Sequence, residues 1–466
     1  MVEFQETLFY SIVLLSLVPL FLRLRMTQAG LLIVLIFWSG LFAYMGSTVF
    51  SLYKIFIVVY ALVLWGPKIL KISTPFEKYV NISFALFTII FWISYLLQGG
   101  AIITMMSQYG YKYGLVFLMF HGLKDIQYNL RKRDYIKKLL LYILFIQVFL
   151  SVTKIFIFGF DHEAHVGSMA FDAGGIAVVI PIVALIFYWL IKNDRLEAKD
   201  WLIISSFFII AIASGKRAPI ILYPVFIFLL VGSVRTLAKI QTAMLALPVL
   251  IIIFYLGVRL TPSFNPEEQV WGSFDLVHVK EYVIEYNFGT INPNEILAED
   301  YRSSGRGGSL LLLFEPQRLG FRNSHEFLFG RGLYHVVIAE EGRFLGGVEY
   351  GIDHHGLIGA IVMDFYTLGL LGMLSVLFLA YTVIRSSQYS YIKWILFAFF
   401  IWEYMFYGNL TLFDNASGII IVFICFYSNT IHLNIKKNKR ITQGPEKNEA
   451  LVEMRNNITT KIDKAC

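Results

Sequence analysis

The sequence predicts an all-α polytopic membrane protein with about thirteen transmembrane helices and one large external loop. Of its 466 residues, 57% are hydrophobic and only 15% are charged, and apolar runs of about 20 residues recur, the length that a helix needs to cross a bilayer. A polar stretch of roughly a hundred residues, beginning at Arg259, separates the first ten runs from the last three. The runs are continuous rather than alternating, so they indicate helices and exclude the strands of a barrel.

The predicted helices follow one another through short connections, except at the polar stretch. The predicted spans are residues 7–22, 30–48, 51–67, 80–98, 102–122, 138–158, 170–191, 201–214, 218–234, 239–258, 356–384, 391–409 and 416–434. The chain therefore divides into an N-terminal transmembrane block (1–258), an external loop (259–355), a C-terminal transmembrane block (356–434) and a basic tail (435–466). The second and third spans are so close that a re-entrant hairpin is an alternative for them.

Lysine and arginine occupy every second connection between the predicted spans, for example at Arg23, Lys124 and Arg235. Basic connections stay on the cytoplasmic side, so we expect an external N-terminus and a cytoplasmic C-terminus. The net charge of +7 then reflects topology, and no nucleic-acid partner is predicted. The basic tail is expected to contact anionic membrane lipid. Two cysteines cannot form a disulfide framework.

The external loop prefers arginine over lysine. It carries fourteen acidic and eight basic residues, and the arginines are Arg259, Arg302, Arg306, Arg318, Arg322, Arg331 and Arg343. Elsewhere lysine outnumbers arginine by 21 to 10. A guanidinium can bind phosphate or carboxylate with two parallel hydrogen bonds, whereas lysine is a hydrated point charge. We therefore expect two or three of these arginines to bind an anion and the others to form salt bridges within the loop.

A second candidate anion site is the short connection between two spans, Ser214-Gly215-Lys216-Arg217-Ala218-Pro219. Lys216 and Arg217 fall on the external side, against the charge rule. Gly215 permits a tight turn, and Pro219 suits the first turn of the next helix. Backbone donors at a helix start, together with two cations, favour phosphate binding. The alternative is a simple turn with snorkelling side chains.

Two adjacent histidines close the predicted loop, in the segment Gly351-Ile352-Asp353-His354-His355-Gly356-Leu357. A histidine can accept a proton from a sugar hydroxyl near neutral pH, and Asp353 could orient it. The alternative is a polar pair at the membrane interface.

A metal site is a weaker alternative for the histidines. It would combine Asp161, His162 and His165 with the pair at the end of the loop. The segment His162-Glu163-Ala164-His165 lacks the i, i+4 spacing of a zinc-protease motif. No metal ion and no other cofactor is therefore predicted.

Four ionisable residues inside the predicted spans are further candidates, because such residues are costly in a bilayer. Lys154, Asp172, Asp364 and Glu403 all fall in the external half of their spans. This distribution indicates a site that opens to the external face.

These features together resemble the bacterial O-antigen polymerase family (Wzy-type) and the related O-antigen ligases. The resemblance covers about residues 200–375 and rests on residues 214–217, 327–332 (Phe-Leu-Phe-Gly-Arg-Gly) and 353–359. It implies a GT-C-like, inverting, metal-independent glycosyltransferase in the bacterial cytoplasmic membrane. The donor would be an oligosaccharide on undecaprenyl diphosphate and the acceptor a second lipid-linked repeat unit. Whether a chain-length regulator also binds is left open.

The resemblance also implies roles for individual residues. The external arginine of the family corresponds to Arg217, and its loop histidine to His355 or else His354, while Arg331 begins the Arg-x10-Gly spacing of some polymerases. Positive charge near the leaving diphosphate would stabilise the transition state. The predicted diphosphate-binding residues are Lys216, Arg217, Arg302, Arg306 and Arg331, and the predicted catalytic residues are Asp353, His354 and His355.

Three other functions compete with a polymerase. An O-antigen ligase would perform the same chemistry on a lipid A–core or protein acceptor, but Gly356 stands after His355 where ligases often carry asparagine. A flippase or other transporter of lipid-linked oligosaccharides would predict internal symmetry and a cavity at the midplane. A non-enzymatic assembly or receptor protein is the third alternative.

Overall fold

The structure is a computed structural model that describes residues 2–71, 74–98, 106, 109–159, 164–171, 175–192, 196–232, 236–288, 310–314, 321, 323–332, 359–387, 390–406 and 415–429. Within these ranges the chain is largely helical, and its one β-feature is an isolated bridge between Val166 and Ala170. The predicted all-α class is therefore confirmed for the described part of the chain.

The helices of the first third of the chain run up to Phe158. They are α1 (Val2–Leu15), α2 (Val18–Arg23), α3 (Gln28–Phe37), α4 (Ser39–Tyr44), α5 (Ser47–Ile69), α6 (Pro75–Gln98), a π-helix (Tyr109–Gly114), α7 (Leu115–Leu123), a 3-10 helix (Lys124–Gln127) and α8 (Leu130–Phe158). Polar residues begin two of them: the side chains of Thr27 and Asn129 accept hydrogen bonds from backbone N–H groups in the first turns of α3 and α8.

The remaining helices include four from the predicted loop. They are α9 (Ile176–Lys192), α10 (Ala198–Ile212), α11 (Ala218–Gly232), α12 (Thr236–Leu260), a 3-10 helix (Pro262–Phe264), α13 (Leu276–Phe288), a 3-10 helix (Leu310–Leu313), α14 (Ser324–Phe329), α15 (Ala360–Arg385), α16 (Ser390–Phe406) and α17 (Asn415–Asn429). A capping box between Glu197 and Asp200 begins α10.

Each predicted span overlaps at least one of these helices. Six stretches are long and apolar enough to cross a membrane: Glu3–Arg23, Ser47–Ile69, Pro75–Leu97, Leu130–Phe158, Thr242–Leu260 and Ala360–Arg385. On α5, one face is buried and the other exposes large apolar side chains, namely Leu52, Phe56, Val59 and Val63. A continuous apolar outer face is what lipid requires, so these helices support the membrane class. The number of crossings stays a prediction.

The second predicted span is interrupted between α3 and α4, at Trp38. A non-helical segment, residues 165–171, is inserted beside this break and is almost fully buried. Ser168 joins the two parts: its hydroxyl donates to the Phe37 carbonyl at 2.7 Å, and its carbonyl accepts from Gly40 N–H at 2.9 Å. The Gln147 side chain of α8 also bonds Ser168. Irregular backbone is tolerated in a membrane bundle only when protein satisfies it in this way.

Helices α6 and α15 pack along each other over most of their length. Ser83 bonds Thr382 at 2.8 Å, and Ser94 donates to the Thr367 carbonyl at 3.2 Å, so the two helices are antiparallel. The C-terminal end of α6 therefore lies beside the N-terminal part of α15. The predicted topology gives both of these ends to the external side.

The end of the bundle predicted to be cytoplasmic is held by an ionic cluster. Lys124 and Glu77 form a buried ion pair at 2.7 Å, with side chains 7% and 3% exposed. Nearby, Lys68 and Lys132 both contact Asp125, at 2.8 Å and 3.3 Å. Lys68, Lys124 and Lys132, which we predicted only as topology signals, thus also connect α5, α6 and α8 to the 3-10 helix Lys124–Gln127.

The predicted loop begins with a folded turn after α12. The Arg259 guanidinium donates to the carbonyls of Gly272 at 2.9 Å and Trp271 at 3.2 Å, and also to the Tyr255 hydroxyl. The buried Asn265 side chain bonds three backbone groups within residues 261–269. Arg259 is therefore one of the loop arginines that serves the fold.

Candidate functional site

The connection between α10 and α11 forms the tight turn that the sequence predicted. Gly215 adopts a positive φ of 60°, and its N–H donates to the Ile212 carbonyl at 3.0 Å. Ser214 is buried and donates to the Ile210 carbonyl at 2.9 Å. Pro219 lies in the first turn of α11, as expected.

Lys216 and Arg217 are half-buried on this turn. The Arg217 guanidinium lies over the ring of Tyr282, with 5.0 Å to the ring centroid. Tyr282 belongs to α13 and also meets Phe264 edge to face at 5.4 Å. The turn between α10 and α11 is therefore in contact with the beginning of the predicted external loop.

A second part of the loop, the docking segment (residues 327–332), packs on α15. The backbone N–H of Arg331 donates to the Tyr366 carbonyl at 2.8 Å, and that of Gly332 donates to the Thr367 carbonyl at 3.0 Å. Both carbonyls lie just before Gly369, where α15 has non-helical backbone angles. A break in a helix leaves carbonyls that need other donors, and the docking segment supplies them.

Two glycines make this contact possible. Gly330 and Gly369 have φ values of +79° and +71°. A Cβ atom on Gly330 would lie 2.5 Å from the Gly369 nitrogen, and a Cβ on Gly369 would lie 2.3 Å from the Leu328 carbonyl carbon. The two backbones therefore touch directly, and no other residue type fits at either position.

Arg331 is the predicted site residue that the structure holds most closely against the membrane bundle. Its side chain is 11% exposed, its Nε lies 3.9 Å from a Glu326 carboxylate oxygen, and its guanidinium lies 5.9 Å from the Tyr366 ring centroid. Among the described residues, the Glu326 contact is its one ionic contact. It is longer than a hydrogen bond, so the planar fork keeps donors for a further anion.

Apolar residues extend the contact between the predicted loop and α15. Phe321 and Phe327 meet Phe365 of α15 edge to face, at centroid distances of 5.2 Å and 5.6 Å. Leu310 and Leu313 of the short 3-10 helix pack against the same cluster. The predicted apolar run 310–314 thus contacts α15, while its last residue, Phe314, is 82% exposed.

A buried carboxylate lies on the same part of α15. Asp364 is 2% exposed. Its two oxygens accept hydrogen bonds from the hydroxyls of Tyr113, at 3.3 Å, and Tyr404, at 3.1 Å. Tyr113 belongs to the π-helix, a form that occurs frequently at functional sites. Lys112, its neighbour, acts electrostatically on Asp364.

Eight of the predicted residues lie outside the described part of the chain. They are Arg302, Arg306, Asp353, His354 and His355, together with Asp161, His162 and Asp172. Gly359, four residues after His355, is described: a Cβ there would lie 2.0 Å from the Met405 carbonyl oxygen of α16. In the described residues, no group of three or more His, Cys, Asp or Glu is arranged to hold a metal ion.

The described site residues contact different elements. Arg217 contacts Tyr282 of α13, whereas Arg331 contacts Glu326 of α14 and Tyr366 of α15. Tyr113 and Tyr404 were not predicted from the sequence. The chain has 27 tyrosines, and no local pattern distinguishes these two from the others. Asp364 was detectable as a charged residue within an apolar span.

Comparison with known proteins found no relative of this chain. No protein-family model matches the chain, and neither curated proteins nor solved structures gave a significant match. Function must therefore be inferred from the residues and their geometry.

Proposed function

We propose that the protein is a polysaccharide polymerase, a glycosyltransferase that joins oligosaccharide repeat units carried on undecaprenyl diphosphate. The reaction takes place at the outer face of the bacterial cytoplasmic membrane and yields O-antigen, capsule or another exopolysaccharide. The chain crosses the membrane thirteen times in a GT-C-like arrangement, with its N-terminus outside and its C-terminus in the cytoplasm. One observation carries the proposal: the docking segment brings Arg331 onto the break in α15.

The environment of Arg331 suits a diphosphate. A guanidinium removed from water needs anionic partners, and its one ionic contact within the described residues, to Glu326 at 3.9 Å, leaves most of its donors available. A phosphate oxygen pair matches the fork of arginine in a way that lysine cannot reproduce. The exposed Phe314, from the segment that also packs on α15, offers an apolar surface for the polyprenyl chain.

The other predicted residues complete the proposed reaction. Lys216 and Arg217, with Arg302 or Arg306, add positive charge where the leaving diphosphate develops negative charge. His355, or His354 in its place, accepts the proton of the acceptor hydroxyl with support from Asp353. The new glycosidic bond forms as the bond from the sugar to the diphosphate breaks, and the proton passes to the histidine.

Broken helices favour a second candidate, a transporter of lipid-linked oligosaccharides. Transporters bind substrate at discontinuous helices, and the structure contains one at Gly369 and another between α3 and α4, at Trp38. The bundle also contains buried ionisable residues, among them Lys154 and Asp364. An antiporter or flippase would use such groups for ion coupling.

The test is a gel of surface glycan from a strain that lacks the protein. The strain is complemented with wild type, Arg331→Lys, Arg217→Ala or Arg385→Lys. Arg385→Lys is the matched control, because it makes the same change at the opposite end of α15. We expect wild type and Arg385→Lys to restore the ladder and Arg331→Lys to leave a single repeat unit, with equal amounts of protein in the membrane.

Other outcomes identify the competing functions. Lipid-linked polymer that accumulates outside the membrane, with none transferred to the surface, would identify a ligase. Lipid-linked single units that accumulate on the cytoplasmic face would identify a transporter. Full activity of Arg331→Lys would contradict the assignment of a bidentate phosphate contact to this arginine.

A further inference from the structure

The break at Gly369 divides α15 into two parts of unequal length. Residues 360–368 form a section of nine residues, and the section carries the two carbonyls that hold the docking segment. Because the backbone at Gly369 is not helical, the long remainder of α15 does not fix the direction of this short section. Its own lateral contacts must do so.

Among these lateral contacts are two hydrogen bonds to Asp364. Its carboxylate accepts from Tyr113 of the π-helix and from Tyr404 of α16, which lie on different elements of the bundle. A hydrogen bond is directional, whereas the aromatic contacts of Phe365 tolerate sliding.

We propose that Asp364 is a positioning residue for the donor site. Its two hydrogen bonds orient residues 360–368, and this section in turn holds Arg331 through the carbonyl and the ring of Tyr366. The inference rests on the proposed function, because Arg331 is taken to bind the diphosphate of the donor. Asp364 is two residues from Tyr366 in the same helical section, so a tilt of one moves the other.

The geometry assigns Asp364 a positioning role and not that of the base. Both of its oxygens already accept phenol hydrogens, and the residue is 2% exposed. A general base must reach the proton that it removes. Asp364 therefore acts through Arg331, and its removal should matter only while Arg331 is present.

The experiment measures binding of undecaprenyl diphosphate to the full-length protein in nanodiscs. The variants are Arg331→Gln, Asp364→Asn, the double variant, and Asp200→Asn as control. Asp200 is likewise a buried carboxylate that accepts from a tyrosine, Tyr188 at 2.6 Å, but it lies at the start of α10 and also pairs with Lys192. We expect Arg331→Gln and Asp364→Asn each to raise the Kd about tenfold or more, and Asp200→Asn to leave it unchanged.

The double variant separates positioning from general stability. If Asp364 acts through Arg331, Asp364→Asn raises the Kd no further once Arg331 is Gln. An equal rise in both backgrounds, or no rise in the wild-type background, would overturn the inference while the donor site stands. Wild-type binding that Arg331→Gln does not weaken would overturn the donor site and, with it, this inference.

A second pair of variants covers the case in which Asp364→Asn does not fold. Tyr113→Phe and Tyr404→Phe each remove one hydroxyl and keep the ring. Combined, they leave the carboxylate without its two orienting donors. We expect this pair to raise the Kd in the wild-type background only, and Tyr188→Phe, the matched change at Asp200, to leave it unchanged.

Discussion

Gly330 and Gly369, 39 residues apart in the sequence, meet backbone to backbone where the external loop joins the membrane bundle. Their φ and ψ angles, near +75° and 180°, belong to a region that only glycine adopts readily. The contact holds Arg331 in position, and several of its consequences can be measured.

Alanine at either glycine should release the docking segment. Gly330→Ala and Gly369→Ala each carry ~1–3 kcal/mol of backbone strain. Each also places a Cβ within 2.5 Å of backbone atoms that cannot move aside. We expect a lower Tm in detergent and faster trypsin cleavage after Arg331. Gly46→Ala is the matched control: its φ is +111° but its Cβ would meet nothing within 4 Å, so it should show the strain alone.

The ion pair between Lys124 and Glu77 should be costly to break on one side only. Both side chains are buried, so Lys124→Met removes the cation that balances a buried carboxylate and should destabilise the protein by ~3–5 kcal/mol. Lys124→Met with Glu77→Leu removes both charges and should recover most of the loss. Thermal unfolding in detergent measures the loss in the single variant and the recovery in the double variant. Breaking the exposed pair of Lys199 and Glu197, with side chains 69% and 68% exposed, should change the Tm little.

The contacts of Asp125 should make stability depend on acid pH. Burial raises the pKa of Asp125. The hydrogen bonds and charges of Lys68 and Lys132 lower it by more than burial raises it, so the net pKa is below the ordinary 3.8. A carboxyl whose pKa is lower in the folded state stabilises that state above the unfolded pKa. This stabilisation is lost as the pH falls through the folded pKa.

The measurement compares the Tm of wild type with that of Asp125→Asn. Wild type should be the more stable at pH 5 to 6.5, by a constant difference, and the difference should shrink once the pH falls below about 3.8. The side chain of Asp125 is 47% exposed, so the difference will be modest. A difference that grows on acidification would contradict the assignment.

Asn265 should be essential to the turn that begins the loop. Its buried side chain donates to the Thr261 and Gln269 carbonyls and accepts from Gln269 N–H. Asn265→Ala leaves these groups unsatisfied, at a cost of ~1–3 kcal/mol. We expect faster trypsin cleavage after Lys280 in proteoliposomes. Ser273→Ala, which removes an exposed hydrogen bond to Glu267, should leave the cleavage rate near that of wild type.

Local patterns predicted much of the fold. Apolar runs located the helices, and the residues around Gly215 predicted the turn between α10 and α11, because each signal lies within a few neighbouring residues. The break in α15 was not predicted, although Gly369 stands in its sequence. A glycine inside an apolar span is compatible with a straight helix, and only the contact with the docking segment makes it a break.

The candidate site was predictable to a smaller extent. Arg217 and Arg331 were singled out from charge and spacing, and the structure adds the rings that they contact, Tyr282 and Tyr366. The bonds from Tyr113 and Tyr404 to Asp364 span 251 and 40 residues of sequence. Contacts of that range depend on the packing of several helices, which no local pattern in one sequence records.

The segment inserted between α3 and α4 has a consequence for biosynthesis. The Phe37 carbonyl and the Gly40 amide receive their partners from Ser168, about 130 residues later in translation. When the second span leaves the ribosome, Ser168 has not yet been made. The two backbone groups must then bind water or remain within the translocon. The break between α3 and α4 is therefore closed only after the chain has emerged beyond residue 171. A nascent chain that ends earlier exposes the open break to membrane quality-control proteases.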